Sequence, residues 1–470
     1  MQDGDLTWLQ LSLQPGETLR SALARTLRDA IRGGALRPGV RLPSSRSLAA
    51  QLRVSRGVAS DAYAQLVAQG FLQGREKAAP LVATVGGVVR PHPPRPASRS
   101  FRLDLRPGTP DVSLFPIRSW VRALGRAAGS PSRVALDYGS SRGEPELREA
   151  LADHLGRTRG VATDPDRIVV VNGTAQAAHL LAHALADRGT RRVAVEDPSW
   201  NTQAERLQLG GLQVVGQPAD QNGLIVEGLD AQAVVVAPAH QFPLGTVMSG
   251  ARRRSLLDWA RHRDALIIED DYDAEFRYDG LPAPALQGLD PDRVAYMGTA
   301  SKTLAPGLRL AWLVTPPWLT DEAERVKHLL DFCSPVLEQR ALAEFLRHGD
   351  YDRHVRRMRL LYMRRRDVLV RAVAAELPDL ALEGVAAGIH ALLRLPAGCD
   401  DQAVAAAAEA DEILVAPLSL FGVDRPPGPG LVLGYGRLPA SIIPEAIAAL
   451  GRAIRGARRS GPAGDEKSRL

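Results

Sequence analysis

The chain has 470 residues, 45% of them hydrophobic and 24% charged, with a net charge of +6. That is longer than one ordinary domain and apolar enough for several cores, so two or three domains are expected. Two widely separated cysteines, Cys333 and Cys399, exclude a disulfide framework and match no metal or redox spacing. The start MQDGDLTWLQ is acidic and lacks the basic residues and apolar run expected of a signal peptide, and the longest apolar runs, such as AVVVAPA at 233–239, are strand-sized. A cytoplasmic protein with no membrane partner and no metal is expected.

Charge is unevenly spread. Residues 18–85 carry 11 basic against 3 acidic side chains, whereas residues 101–450 carry 39 against 45. A small basic segment beside a large acidic one points to a polyanion partner for the first alone. Only four of the 59 basic residues are lysines, at 77, 302, 327 and 467. This chain uses arginine where a plain positive charge suffices, so a lysine inside a motif signals chemistry that arginine cannot perform.

Along the chain, Leu19, Leu23, Leu27 and Ile31 recur at i+4 steps and end at Gly33-Gly34, which predicts an amphipathic helix with a glycine stop. Ser44 is placed to cap a short helix through Leu52, and Ser55 to cap a second after the tight connection Arg53-Val54. Two short helices joined so closely make a helix-turn-helix, and residues 71–85 read as a hairpin, the wing. Residues 15–85 therefore form a winged helix-turn-helix for double-stranded DNA. Ser55 and Arg56 open its recognition helix, with Arg41, Arg46 and Arg53 around it. Each arginine can pair with guanine or grip phosphate. The segment GALRPGVRLPSSRSLAAQLRVSRGVASDAYAQLVAQGFL resembles the N-terminal domain of the GntR superfamily of bacterial repressors and activators. The wing departs from that family, with REKAAP in place of a glycine-rich tip.

Residues 86–100 hold four prolines and no periodicity and read as a semi-rigid linker. Beyond it strands and helices alternate: apolar runs at 167–173, 191–197, 232–239, 265–270 and 293–298 are separated by helical stretches. This pattern predicts an α/β domain with a mostly parallel sheet over 101–340. A smaller C-terminal α+β lobe over 341–456 and a polar tail over 457–470 complete the chain.

The motif GTASKTLAPGLRLAW follows an apolar strand. A deprotonated lysine forms a Schiff base with an aldehyde and arginine does not, so Lys302 is the candidate anchor for pyridoxal 5′-phosphate. Thr299 and Ser301 can donate to its phosphate, and Arg309 can neutralise it. Asp270, at the end of IIED, is the chosen carboxylate for the pyridine nitrogen, and Tyr272 can bond the ring's 3-oxygen. The start of the helix after NGTAQ offers backbone N–H groups near Thr174 and Ala175 for the phosphate, and Trp200 of EDPSW can stack on the ring.

Residues 101–450 resemble fold-type I aminotransferases through LRPGTPDVSLFP, YGSSRGEPELREALADHL, NGTAQ, EDPSW, APAHQFPLG, EDDYDAEFRY and SKTLAPGLRL. Joined to a GntR-like head, the chain resembles the MocR subfamily of regulators. The resemblance implies Lys302 as the Schiff-base lysine, Asp270 as partner of the ring nitrogen, and Arg309 as a phosphate ligand. It also implies a head-to-tail homodimer in which Tyr138 reaches the other subunit's phosphate. Two positions depart from the enzymes. Phe242 stands where an asparagine contacts the ring oxygen, with Gln241 or His240 as candidate substitutes. Val432 stands where an arginine holds the substrate carboxylate, with Arg437 nearby but out of register. The leading expectation is a DNA-binding regulator that senses pyridoxal phosphate or a small amine. The alternatives are an active aminotransferase carrying a DNA-binding head, and a core that has lost its cofactor.

Overall fold

The computed structural model describes residues 6, 8–75, 78–84, 101–129, 137–280 and 284–460. The chain divides into two units, Met1–Arg99 and Ser100–Leu470. The expected linker at 86–100 and the tip of the wing at 76–77 lie outside the described residues.

In the first unit, Thr18, Ser44 and Ser55 cap α1 (Leu19–Arg32), α2 (Ser45–Leu52) and α3 (Arg56–Ala68). Each hydroxyl accepts from a backbone N–H of the first turn, satisfying a donor that the helix leaves open. Arg53 takes a left-handed conformation, φ 53°, and ends α2 so that α3 can start three residues later. Leu23, Leu27 and Ile31 of α1 meet Leu48 of α2 and Ala59, Ala62 and Leu66 of α3 in one core. The Tyr63 hydroxyl donates to the Pro43 carbonyl at 2.9 Å and pins α3 to the start of α2. The antiparallel hairpin of β1 (Leu72–Arg75) and β2 (Ala78–Val82) closes the unit.

The second unit opens with β3 (Leu103–Asp104), α4 (Ile117–Gly129) and α5 (Pro145–Arg159). Then follow β4 (Ile168–Val171), α6 (Thr174–Asp187), β5 (Arg192–Asp197), α7 (Asn201–Leu209), β6 (Gln213–Asp220), β7 (Gly223–Leu224), β8 (Ala233–Val236) and α8 (Gly250–Arg263). The large sheet is completed by β9 (Leu266–Asp271), β10 (Val294–Thr299) and β11 (Ala311–Val314), with α9 (Pro317–Asp331) and α10 (Val336–Arg347) after it. A long α11 (Asp350–Glu376) leads to β12 (Leu382–Glu383), β13 (His390–Arg394), α12 (Asp401–Ala410), β14 (Ile413–Leu414), β15 (Ala416–Pro417), β16 (Gly430–Gly434) and α13 (Ile443–Ser460).

The large sheet has the order β4-β11-β10-β9-β8-β5-β6-β7. Its centre is parallel. The strand β11, not foreseen from the sequence, runs antiparallel to both neighbours. Alternate residues of each strand face opposite sides, and both sides are covered: Val169 and Val171 of β4 join one core with α6 and α9, Ile168 and Val170 another with α4, α5 and α10. A small sheet, β12-β13-β16-β15, backs the C-terminal lobe.

Three expected boundaries move. Position 340/341 falls inside α10, whose Ala341, Leu342 and Phe345 pack with Trp120 and Leu151 in the large domain, so the small lobe starts at α11. Leu103 and Leu105 sit in the small lobe's core, and β3 pairs with β14. The chain thus enters through the lobe it later completes, a long-range pairing that local periodicity does not carry. At the other end α13 runs to Ser460, past the expected start of the tail at 457. Among the described residues no helix is long and apolar enough to cross a membrane.

Candidate cofactor and DNA sites

Parallel strands release their following loops at one edge of the sheet, where α/β folds bind ligands. Here the loops after β4, β5, β8, β9 and β10 enclose a cavity of about 290 Å³. Lining it are Thr174, Ala175, Trp200, Asp270, Tyr272, Thr299, Ser301, Lys302 and Arg309, nine of the residues picked from the sequence.

The half-buried Lys302 donates from Nζ to the Gly108 carbonyl at 2.5 Å. Burial holds its ammonium below the usual lysine range, with Asp273 and Asp270 pulling the other way. A lysine in that state is closer to the free amine that an aldehyde requires.

The run Glu269-Asp270-Asp271 shows how strand periodicity sorts three acids. Asp271 Oδ2 accepts from Arg159 Nε at 2.7 Å and from the Tyr296 hydroxyl at 2.8 Å. Glu269 accepts from the Leu286 and Gln287 amides. Asp270 faces the opposite side, into the cavity. Gln203 approaches its Oδ2 at 3.4 Å, while Oδ1 is buried without a partner. Burial, reinforced by the neighbouring Asp271, raises the Asp270 carboxyl to about 7.

At the cavity's other end Gly173 precedes α6 with φ 99°, and it has no side chain to cap the helix. The first N–H groups of α6 are therefore open to an anion. Arg309 Nη2 donates to the Asn172 carbonyl at 2.6 Å and lies beside this terminus. Ser301 N donates to Thr299 Oγ1 at 3.1 Å, and the two hydroxyls are 2.9 Å apart. Trp200 sits with its ring 4.8 Å from Phe242, and the Tyr272 hydroxyl donates to the His240 carbonyl at 2.8 Å. Tyr138 is outside the cavity, 83% exposed, with its ring 5.7 Å from that of Phe332.

Neither candidate substitute for the missing asparagine faces the cavity. Gln241 Nε2 donates to the Pro198 carbonyl and its Oε1 accepts from Leu244 N, so it holds the turn together. His240 is buried against Asp273, Nδ1 to Oδ2 3.0 Å. Phe242 itself lines the wall. Arg437 is paired with Asp104, and Val432 is fully buried.

Ten lining residues were not singled out from the sequence, among them the polar or charged Glu196, Ser199, Gln203 and Arg206 and the backbone of Gly108. Gln203 and Arg206 stand three apart on α7, a spacing that puts both on one helix face, and Trp200 precedes the helix at its N-cap. That signal was present in the sequence. Glu196, raised to about 8 by burial, gave none, because a strand-end glutamate does not announce which way it points.

These residues fit pyridoxal 5′-phosphate: an orphaned buried carboxylate oxygen, an amine held below its usual range, and an open helix N-terminus beside a guanidinium. When bound, the group supplies an aldehyde for an amine to capture and a ring whose protonated nitrogen draws electrons.

In the first unit, Arg46, Arg53, Ser55 and Arg56 are exposed at α2 and the start of α3. Arg41 is half-buried, its backbone bridged to Leu81 and its Nε without a partner. Four of the five residues expected to contact DNA are thus open to solvent, and Arg41 presents only part of its side chain.

Residues 103–438 match the family of aminotransferases of class I and II, and residues 19–82 match the bacterial regulatory proteins of the gntR family. A probable rhizopine catabolism regulatory protein, MocR, of Rhizobium meliloti is 34% identical over 93% of this chain and 94% of its own. The chain is a MocR-type member of the GntR regulators. The pyridoxine biosynthesis transcriptional regulator PdxR of Corynebacterium glutamicum is 33% identical over 82% of this chain and 85% of its own. Among solved structures, a multiple substrate aminotransferase from Thermococcus profundus superposes with a TM-score of 0.71 at 26% identity, covering 77% of this chain and 93% of its own. For a MocR-type regulator, DNA binding through the head follows from the gntR match, and the aminotransferase match implies pyridoxal 5′-phosphate as the cofactor.

Proposed function

We propose that this MocR-type regulator senses pyridoxal phosphate, or a small primary amine that exchanges with Lys302, and transmits its occupancy to the DNA-binding head. The observation that carries the reading is the partnerless Oδ1 of Asp270 in the same cavity as Lys302. Asp270 holds the ring nitrogen protonated, and Lys302 anchors the cofactor covalently. Arg309, Thr299, Ser301 and the amides of Thr174 and Ala175 hold the phosphate, while Trp200 covers the ring. The Tyr272 hydroxyl, which donates to the His240 carbonyl in this structure, turns to donate to the ring's 3-oxygen.

The working form is a head-to-tail homodimer in the cytoplasm. Tyr138 supports it: the ring is exposed beside Phe332, itself 55% exposed, and is turned to solvent where a second copy could dock. Coupling requires that ligand contacts differ between two states of the dimer.

The test is operator affinity at fixed salt, on a fragment recovered by genome-wide binding, for wild type and Lys302→Ala with and without pyridoxal phosphate. The cofactor is expected to change wild-type affinity by about fivefold or more and to leave the variant unmoved. Equal affinities in all four measurements reject the sensor.

A further inference from the structure

Three cations line the cavity, and only the anchoring amine of Lys302 meets a residue of the small-lobe segment, the Gly108 carbonyl. Arg309 sits at the α6 terminus. The charged groups around Arg206 are Asp270, Arg309 and Glu205, which puts it at the ring-nitrogen and phosphate end. The third is Lys302, the anchoring amine.

The small-lobe flank is apolar. Phe242 and Tyr272, which line the cavity, pack with Leu392, Leu418, Phe421 and Val432. Val432 is fully buried, registered between Leu392 of β13 and Ala416 of β15. Three guanidiniums around β16 are engaged elsewhere. Arg106 pairs with Asp104 at 2.8 Å. Arg437 pairs with Asp104, and Arg365 pairs with Asp111 at 2.6 Å and bonds the Gly436 carbonyl. Behind Phe242 stands His390, which burial keeps neutral, and next to it the His240–Asp273 pair.

We propose that the amine accepted here is a primary amine with an uncharged, apolar tail, and not an α-amino acid. The proposal rests on the cofactor-sensor reading above and specifies its ligand. A carboxylate placed against this wall loses its hydration, finds no cation, and lies near the buried Asp273. An apolar tail loses only water it holds weakly. In the exchange, the incoming nitrogen forms the C=N bond to the cofactor's aldehyde carbon as the C=N bond to Lys302 Nζ breaks. The two protons of the incoming amine pass to Lys302, and nothing is oxidised.

The test uses the full-length protein loaded with pyridoxal phosphate, titrated with 2-phenylethylamine and with L-phenylalanine, which differ by one carboxylate. The readout is the absorbance of the lysine-linked cofactor. The amine is expected to reach half-saturation at about 10- to 100-fold lower concentration, the range that one unpaired charged contact produces. Val432→Arg is expected to shrink that ratio by supplying the missing cation, and the wild-type ratio decides alone should the variant fail to fold. Equal or tighter response to phenylalanine, or a yellow protein that responds to neither compound, overturns the proposal while the cofactor reading stands. A protein that never becomes yellow overturns both.

Discussion

The guanidinium of Arg309 occupies the space where a side chain on Gly173 would begin: a Cβ there would meet Nη2 at 2.1 Å. The two residues are 136 positions apart, yet together they shape the end of the cavity at the α6 terminus: one has no side chain and the other fills the gap. Gly173 also holds φ 99°, which other residues adopt only under strain. Gly173→Ala is therefore expected to displace Arg309 and lower pyridoxal phosphate affinity about tenfold or more, measured by quenching of intrinsic fluorescence. Unchanged affinity would mean that Arg309 does not contact the phosphate.

Asp270 predicts opposite effects on stability and binding. Its carboxyl is buried, raised to about 7 and short of one partner. Asp270→Asn removes that unpaired charge, so the cofactor-free protein is expected to gain roughly 1 kcal/mol at pH 8. Cofactor affinity is expected to fall, because the ring nitrogen loses its counter-charge. Paired thermal melts with and without pyridoxal phosphate separate the two, and a variant that loses stability in both would contradict the assignment.

Four buried carboxyls share this behaviour and set a pH trend. Burial raises Glu269, Asp270 and Glu275 to about 7 and Glu196 to about 8, all above their unfolded values. The folded state then holds more protons than the unfolded state between pH 5 and 8, so stability falls as pH rises through that window. Melting temperature of the cofactor-free protein is expected to drop by several degrees from pH 5.5 to 8. Pyridoxal phosphate, by partnering Asp270, is expected to reduce the drop. A flat profile would show that these acids ionise with little cost.

On the DNA side, the exposed Arg56 opens α3, while Ser55 Oγ accepts from the Val58 amide at 3.3 Å. Arg56→Ala is expected to weaken operator binding by ~1–3 kcal/mol without changing the melting temperature of the protein. Ser55→Ala removes a helix cap and is expected to cost the head ~1 kcal/mol in stability. Affinities measured across a salt series tell the roles apart: loss of a phosphate contact lowers the salt slope by about one.

Much of the site was legible in the sequence because its chemistry is local. Thr299, Ser301, Lys302 and Arg309 lie at the end of β10 and in the loop after it, and a chain nearly devoid of lysine makes Lys302 conspicuous. The helix caps Ser44 and Ser55, the i+4 leucines of α1 and the apolar strand runs are likewise properties of neighbouring residues, and each formed the element its spacing implies. Direction was harder to read. Adjacent acids on β9 look alike as letters, and only the facing Arg159 and Tyr296 show that Asp271 is engaged while Asp270 is open.

What tertiary structure alone decided concerns residues whose partners are far along the chain. The antiparallel β11, the entry of β3 into the small lobe and the membership of α10 in the large domain depend on which apolar faces meet, and a 2- or 3.6-residue period does not name the partner. The same holds for His240 and Gln241, placed by the sequence near the ring but engaged by Asp273 and by Pro198 once folded. A polar side chain goes to the strongest partner within reach, and packing sets that reach.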